Sequence, residues 1–202
     1  MFDASDLEVL LLDPQKDLVR LFRYDGAHIH PPEEVFRNAR VDPPVGHKSE
    51  FSVLYLGQSI ATVAVECHIL SEDAKGAYRW LRGKANEYKV ARYRSGKPAL
   101  FIPIDGRNRK LLGLEGDDVP YNGYAPFQAV SLELFQRFGN VVHGLTWSSF
   151  HRNQPGRVFA LWHHHKDSIG LKVTSTEPFS SLAADDGWRE FLAKNPAIQE
   201  IA

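Results

Sequence analysis

Cysteine, methionine and long apolar runs are all scarce in this sequence. Its 202 residues include one methionine and one cysteine, Cys67. A single cysteine excludes an intramolecular disulfide and any metal cluster built from several cysteines. No apolar run approaches the roughly 20 residues that a membrane-spanning helix needs. The first residues place acids ahead of a short apolar stretch, which is the wrong charge for a secretory signal. We therefore expect a cytoplasmic protein without a membrane partner.

The chain also lacks an excess of charge of either sign. It has 24 basic and 25 acidic side chains, a net charge of −1, so the overall charge favours neither a nucleic-acid nor a membrane partner. The basic residues are nevertheless concentrated: residues 75–110 contain eleven of them and only two acids, Glu87 and Asp105. Aromatic side chains alternate with them and could stack on a single strand. A non-enzymatic nucleic-acid-binding module is therefore an alternative function.

Length and hydrophobic content predict one domain. With 43% hydrophobic residues the chain can bury a single core, which we place at about residues 18–165, with a C-terminal tail at 174–202. Short strands are predicted at 51–57, 98–104, 110–114, 141–147 and 157–162. Helices are predicted at 59–70, 78–90, 126–138 and 188–193. The pattern predicts an α+β fold, a single compact domain with short mixed or antiparallel strands.

The most specific residues lie between Arg40 and Glu66. An alternating strand at 51–57 delivers Tyr55, and Ser59 is a good helix N-cap because its hydroxyl can accept from a free N–H of the first turn. Glu66 follows alanines and valines, and a carboxylate is rarely buried without a partner. Arg40 is the upstream candidate for that partner. The combination suggests a site for a phosphorylated ligand with a flat ring.

Each of these residues also has an ordinary interpretation. A tyrosine in an alternating strand usually packs, an arginine in a charged loop is usually solvated, and Glu66 could face solvent. Ser148 and Ser149 stand beside a predicted turn, where serine is common for local reasons. Only the order of the whole set favours a function.

That order resembles the RES domain, the toxin of bacterial RES–Xre toxin–antitoxin pairs. The resemblance runs from about Arg20 to Trp162 and no single motif in it is long. The matching segments are Arg40-Val-Asp-Pro, Val53-Leu-Tyr55-Leu-Gly57, Ala61-Thr-Val-Ala64-Val-Glu66 and Gly144-Leu-Thr-Trp147-Ser-Ser149. The sequence departs from the family in having valine after Arg40, where phenylalanine is common, and in a loop that brings its own His47 and Lys48.

The resemblance implies a fold like that of the diphtheria-toxin type of ADP-ribosyltransferases. It also implies an enzyme that consumes NAD⁺ as its substrate, passes ADP-ribose to water, phosphate or a target protein, and needs no metal. The implied catalytic set is Arg40, Tyr55, Glu66 and Ser149. Ligand binding would involve Arg40, Tyr55 and the two serines, Ser148 and Ser149. Lys48, from the loop that departs from the family, is a further candidate binding residue. Ser149 is preferred over Ser148 because the family has an aromatic residue, one spacer and then the serine.

The same resemblance implies a partner. A cognate Xre-type antitoxin would cover the active-site entrance in a hetero-oligomer, and nucleic acid would be reached only through that antitoxin. Two other features are expected to have no catalytic role. His163-His164-His165 would alternate between faces of a strand and lacks evident further donors for a metal site, and Cys67 is expected to point away from Glu66 into the core.

Overall fold

The computed structural model describes residues 4–114, 123–149 and 156–201. Its strands are β1 (Leu10–Leu12), β2 (Leu18–Phe22), β3 (Val53–Gly57), β4 (Leu70–Glu72), β5 (Tyr78–Leu81), β6 (Lys89–Arg94), β7 (Ala99–Pro103), β8 (Gly144–Ser148), β9 (Arg157–Trp162), β10 (Lys172–Val173) and β11 (Gln199–Ile201). Its α-helices are α1 (Ile60–Glu66), α2 (Arg82–Glu87), α3 (Gly106–Leu111), α4 (Ala125–Phe138) and α5 (Asp186–Lys194).

The strands form two sheets of mixed direction. The larger sheet has the order β1-β7-β8-β9-β3-β2-β6-β10, and the smaller one has the order β11-β5-β4. β7 and β8 are parallel, as are β11 and β5, while the other pairs are antiparallel. β3 therefore lies inside the large sheet, and its five residues pair with β9 from Val53 opposite Trp162 to Gly57 opposite Val158. The predicted α+β class with short mixed strands is confirmed.

Helices α1 and α4 pack against apolar side chains of the large sheet. On α4, Phe127 and Leu134 are buried against Trp147 and Trp162 of the sheet, as in an amphipathic helix whose apolar face meets the core. On α1, the middle residues 63–65 are buried in a second cluster that includes the C-terminal segment. Both helices therefore pack on the same large sheet.

Helix α1 begins where the sequence predicts and ends four residues early. The Ser59 hydroxyl accepts from the Thr62 N–H at 3.1 Å, which confirms the N-cap. The predicted end near Leu70 is wrong, because the helix stops at Glu66. His68 then adopts φ 53°, a left-handed conformation that ends a helix, and Leu70 enters β4. Glu66 consequently occupies the last helical position.

Two other predicted elements are wrong. The helix predicted at 78–90 is instead strand β5, the short helix α2 and the start of β6, because residues 78–81 pair with β4 and with the distant β11. The strand predicted at 110–114 is the end of α3 and its following turn. Buried Asn108 on α3 accepts from the Glu8 N–H and donates to the carbonyl oxygens of Glu8 and Pro103, so the N-terminal segment stabilises this helix.

The segment after residue 174 packs into the core. Trp188 is fully buried and contacts the Trp80 ring edge to face, with centroids 5.7 Å apart. Asp185 is also buried and accepts two hydrogen bonds from the Arg92 guanidinium at 2.6 and 2.8 Å. The buried Asp185 carboxylate is compensated because both of its oxygens accept hydrogen bonds from Arg92. The predicted late helix is confirmed as α5.

Acids from both ends of the chain pair with the basic segment 75–110. Among the residues that the structure describes, six of its basic side chains form ion pairs with acids that lie outside the segment. The pairs are Arg79–Asp73, Arg82–Glu200, Lys89–Asp25, Arg92–Asp185, Arg94–Asp17 and Arg107–Asp6. Much of the basic charge concentrated in the sequence is thus neutralised in the fold.

Within the described ranges, no helix has both the length and the apolar character required to cross a bilayer.

We expect Trp188→Ala to lower the free energy of unfolding by about 3–5 kcal/mol, since it deletes a fully buried indole from the core. Denaturant unfolding followed by far-UV circular dichroism measures this loss. Arg189→Ala is the matched control, because that side chain is largely exposed and should change stability little. Equal stability of the Trp188 variant and the wild type would show that the C-terminal segment does not belong to the core.

Candidate active site

A cavity of about 300 Å³ opens at the junction of β2, β3, the end of α1 and the loop before β3. Its lining combines two guanidinium groups, one carboxylate and three aromatic rings with apolar side chains. The residues that carry this chemistry are Arg20, Arg40, Tyr55, Glu66, Tyr124 and Trp147. Three of the four predicted catalytic residues, Arg40, Tyr55 and Glu66, therefore line one cavity.

The fourth predicted residue contacts Glu66 directly. Ser149 follows β8, and its hydroxyl donates to Oε1 of Glu66 at 3.0 Å, although the two residues are 83 positions apart in sequence. β8 pairs with β9 and β9 with β3, so the sheet itself brings the end of β8 beside the end of α1. One carboxylate oxygen is thereby oriented in a residue that lines the cavity.

The hydroxyl of Tyr55 is occupied by two neighbours in the loop that carries Arg40. The hydroxyl donates to Oδ1 of Asp42 at 2.9 Å and accepts from the Val41 N–H at 3.3 Å. The ring lies edge to face with Trp147, with centroids 6.3 Å apart. Burial, followed by the negative charge of Asp42, raises the pKa of Tyr55 well above its ordinary value. The hydroxyl therefore stays protonated and committed to Asp42.

Asp42 is a buried carboxylate that the sequence did not single out. Only 4% of its surface is exposed, and its second oxygen accepts from the Ala39 N–H at 2.7 Å. Burial raises the pKa of Asp42 above its ordinary value, while the hydrogen bonds from Ala39 and Tyr55 act in the opposite direction. Asp42 belongs to the segment Arg40-Val-Asp-Pro, but no residue next to it in the sequence indicates that it is buried.

Helix α4 holds the same loop from the other side. Gln128 donates to the Ala39 carbonyl oxygen at 2.9 Å, and the buried Ser131 donates to the Val41 carbonyl oxygen at 2.8 Å. Arg40 lies between these two fixed peptide groups. Its guanidinium carbon lies 5.5 to 5.7 Å from the ring centroids of Tyr124, Phe127 and Trp147, within cation–π range.

Arg20 is a second cavity arginine without a predicted role. It lies on β2, where its guanidinium donates to the carbonyl oxygens of Ala27 at 3.0 Å and Tyr55 at 3.1 Å. Burial lowers its pKa from the ordinary value, yet an arginine starts so high that it stays charged. An arginine inside the otherwise apolar strand Leu18–Phe22 is the signal that could have identified it.

Two predicted ligand-binding residues lie elsewhere. Ser148 donates its backbone N–H to Asp105 at 2.6 Å, and its hydroxyl accepts from Arg157 at 3.3 Å, on a different cleft. Lys48 contacts the Arg37 carbonyl oxygen and the Asn38 side chain. The structure brings neither of them into the cavity lining, and their role in ligand binding stays a prediction.

Cys67 packs against the core, as expected, but it also lines the cavity beside Glu66 instead of pointing away from it. It caps α1, is half-buried and lines the cavity together with Glu66. Burial raises the pKa of its thiol to about 11. Because the thiolate is the reactive form, this cysteine is unreactive near neutral pH.

The three consecutive histidines form a short 3₁₀ turn, His163–His165, after β9 rather than continuing the strand. His143 and His164 pack around His165, with ring centroids 4.9 and 3.9 Å away. Burial lowers the pKa of both His143 and His164, so they are neutral at physiological pH. Among the described residues, no group of three or more His, Cys, Asp or Glu side chains is placed to hold a metal ion.

Comparisons with known proteins identify the fold. No protein-family model matches the chain, and no curated protein matches its sequence. Among solved structures, it is similar to a chain of the M. tuberculosis MbcT–MbcA toxin–antitoxin complex, with a TM-score of 0.57 and 16% sequence identity. The match covers 91% of this chain and 92% of the other one. The likeness extends over nearly the whole of both chains and concerns their fold.

We expect Cys67 in the native protein to react with a disulfide reagent at pH 7.5 roughly a hundredfold more slowly than in the unfolded chain, because its raised pKa leaves little thiolate. The rate of colour release with and without urea measures this. Since the chain has no other cysteine, every signal comes from this position. Equally fast labelling of the native protein would contradict the burial of the thiol.

Stability should fall as the pH is lowered from about 7 to 5. The unfolded histidines have a pKa near 6.5, and those of folded His143 and His164 are lower, so the unfolded state binds more protons in this window. Urea midpoints across the range measure the loss. The double variant His143→Asn/His164→Asn should lose less stability over the same interval. An identical pH dependence in both proteins would mean that other groups cause it.

Proposed function

We propose that this protein is an enzyme that cleaves the bond between nicotinamide and ribose in NAD⁺ and passes ADP-ribose to water, phosphate or a target protein. The observation that carries the proposal is the Glu66–Ser149 hydrogen bond beside a cavity that Tyr55 and two arginines also line. Glu66, Ser149, Tyr55 and Arg40 are the residues that the resemblance to the RES domain implies, and they come from four separate segments of the chain. The second arginine, Arg20, is known only from the cavity lining.

Cleavage of the bond between nicotinamide and ribose depends more on a fixed, ionised carboxylate than on a general acid that protonates the leaving group. When the glycosidic bond breaks, its electron pair leaves with the nicotinamide nitrogen and neutralises the pyridinium. Positive charge then develops on the ribose at the carbon that held nicotinamide. An oxygen of the acceptor forms a bond to that carbon, and its proton passes to water. A carboxylate held beside that carbon stabilises the charge, and such electrostatic preorganisation is usually the largest catalytic effect. Glu66, oriented by Ser149, fills this role in the proposal.

Tyr55 would bind nicotinamide through its ring. Its hydroxyl is occupied by Asp42, and the remaining ring surface lies among cavity residues. Stacking of a flat cationic ring on an aromatic face combines dispersion with attraction to the π system. The tyrosine would act as a rigid platform and would take no part in proton transfer.

The two arginines supply positive charge for the phosphates. A planar guanidinium matches the geometry of phosphate oxygens, and Arg20 and Arg40 reach the cavity from opposite segments. A volume of about 300 Å³ is at the lower end of the range for ligand pockets. We infer that the cavity takes the nicotinamide end of the dinucleotide and that the adenosine extends over the surface.

We further propose that the protein is the toxin of a toxin–antitoxin pair. The supporting observation is its likeness in fold to a chain of a toxin–antitoxin complex over about nine-tenths of both chains. The partner would then be an antitoxin that covers the cavity mouth, and the resemblance to the RES domain makes an Xre-type antitoxin the expected one. A protein acceptor of ADP-ribose is one of three acceptor classes to be tested.

The alternative of a nucleic-acid-binding module gains no support from the structure. Six of the basic side chains that would contact phosphates are paired with acids from elsewhere in the chain. Phosphate contacts of a nucleic-acid site depend on basic groups that meet the backbone. Of the aromatic residues in the same segment, Trp80 and Tyr93 are buried in the core.

The purified protein should consume NAD⁺, and Glu66→Gln should lower the rate by about a hundredfold or more, as expected when a principal electrostatic group is removed. Ser149→Ala should lower it less, since it removes only the orientation of that carboxylate. Chromatography of NAD⁺ and its products measures the rates. Parallel samples contain phosphate or a cell lysate with labelled NAD⁺, so that free ADP-ribose, its phosphate ester or a labelled protein band identifies the acceptor.

Glu33→Gln is the matched control for this experiment. Glu33 is an exposed glutamate in the loop before Arg40 and lies outside the cavity lining, so its variant should keep wild-type activity. No loss of NAD⁺ under any acceptor condition, with correctly folded protein, would refute the enzymatic proposal. Undiminished turnover by the Glu66 variant would refute the assigned catalytic residue.

A further inference from the structure

The Asp42 side chain connects two parts of the cavity that the sequence separates. One carboxylate oxygen accepts from the Tyr55 hydroxyl on β3, and the other accepts from the Ala39 N–H in the loop that carries Arg40. The backbone adds two more links: the Val41 N–H donates to the Tyr55 hydroxyl, and the Asp42 N–H donates to the Ala39 carbonyl oxygen. The loop and the tyrosine thus share one hydrogen-bonded network.

We propose that Asp42 is a positioning residue for substrate binding: it fixes the Tyr55 ring and the Arg40 loop in the arrangement that receives the nicotinamide end of NAD⁺. This inference rests on the function proposed above. It assigns to Asp42 no contact with the substrate, because its oxygens are occupied by Tyr55 and Ala39 and its side chain is almost fully buried.

A carboxylate suits this task better than a neutral group. Hydrogen bonds to an ionised acceptor are shorter and stronger than bonds between neutral groups. A buried carboxylate is costly unless its oxygens are satisfied, so the folded state strongly favours the one arrangement in which both donors reach it. The geometry of Tyr55 and of the Arg40 loop is then specified together, before any ligand arrives.

The Tyr55 ring has few alternative positions in this network. Its hydroxyl is held by Asp42 and Val41, and its ring meets Trp147 at an interplanar angle of 70°. If the ring could rotate freely, ordering it on binding would cost conformational entropy and would weaken the binding of the ligand. Loss of the Asp42 carboxylate should therefore weaken the binding of NAD⁺ more than it slows the chemical step.

The test compares KM and kcat for NAD⁺ in wild type, Asp42→Asn and Asp42→Ala, with thermal unfolding of each protein measured in parallel. We expect KM to rise about tenfold for Asp42→Asn, which leaves one acceptor oxygen for the two donors, Tyr55 and Ala39, and further for Asp42→Ala. kcat should change less than about threefold. Asp13→Asn, an exposed aspartate outside the cavity, should match the wild type.

A second comparison uses Tyr55→Phe. This variant keeps the ring but removes the hydroxyl, so it should raise KM by itself. In that background, adding Asp42→Asn should raise KM less than about twofold further, because the single asparagine oxygen can then accept from the one remaining donor, the Ala39 N–H. This comparison stays informative if Asp42→Ala is too unstable to purify.

A merely structural role for Asp42 gives a different result. Partial unfolding reduces the concentration of active enzyme, so it lowers the apparent kcat and leaves KM unchanged. An unchanged KM in Asp42→Asn, with wild-type turnover that depends on Glu66, would overturn this assignment alone. Absence of NAD⁺ turnover in the wild type would instead overturn the proposed function, and the role of Asp42 with it.

Discussion

The interior position of strand β3 is the constraint on which the site depends. β3 pairs with β9 on one side and β2 on the other, so its register fixes Tyr55 opposite Ala160 and beside the β2 arginine, Arg20. The chain leaves β3 at Gly57, turns at the Ser59 cap and enters α1, which places Glu66 at the end of a seven-residue helix. A shift of one residue in this strand would turn Tyr55 to the other face.

The same sheet supplies the partner of Glu66. β8 reaches β3 through β9, and the residue after β8 is Ser149. Close packing at this corner leaves little freedom: a Cβ on Gly57 would lie 2.4 Å from Val63 of α1, and a Cβ on Gly156 would lie 2.0 Å from the Thr62 hydroxyl oxygen. Glycine at these two positions lets α1 approach both strands closely, which keeps the carboxylate near the serine.

Local signals in the sequence were sufficient for the elements that carry the site. The alternation at 51–57, the Ser59 cap and the bracketing of α4 by Pro126 and Gly139 each reflect chemistry within a few residues, and the structure has β3, α1 and α4 there. The strand β5 was missed because its pairing partners include β11, more than a hundred residues later. Propensity within 78–81 carries no record of that pairing.

Asp42 and Arg20 were harder to predict, because their roles in the site also depend on contacts with distant parts of the chain. Asp42 looks like a loop aspartate, and its burial comes from helix α4, whose Gln128 and Ser131 hold the loop from about ninety residues away. Arg20 is the one charged residue of the strand Leu18–Phe22, which marks it as unusual, but the strand alone does not show that a cavity lies beside it. The basic segment 75–110 suggested a nucleic-acid surface because its acidic partners come from both ends of the chain.

The central claim is that the cavity holds the nicotinamide end of NAD⁺ between the Tyr55 ring and the Glu66 carboxylate. A crystal structure of Glu66→Gln soaked with NAD⁺ tests it most directly, since a slowed enzyme retains its substrate. The account predicts the nicotinamide ring against Tyr55, the ribose beside residue 66 and the phosphates near Arg20 or Arg40. A dinucleotide bound elsewhere, with this cavity closed to it at saturating NAD⁺, would contradict the account.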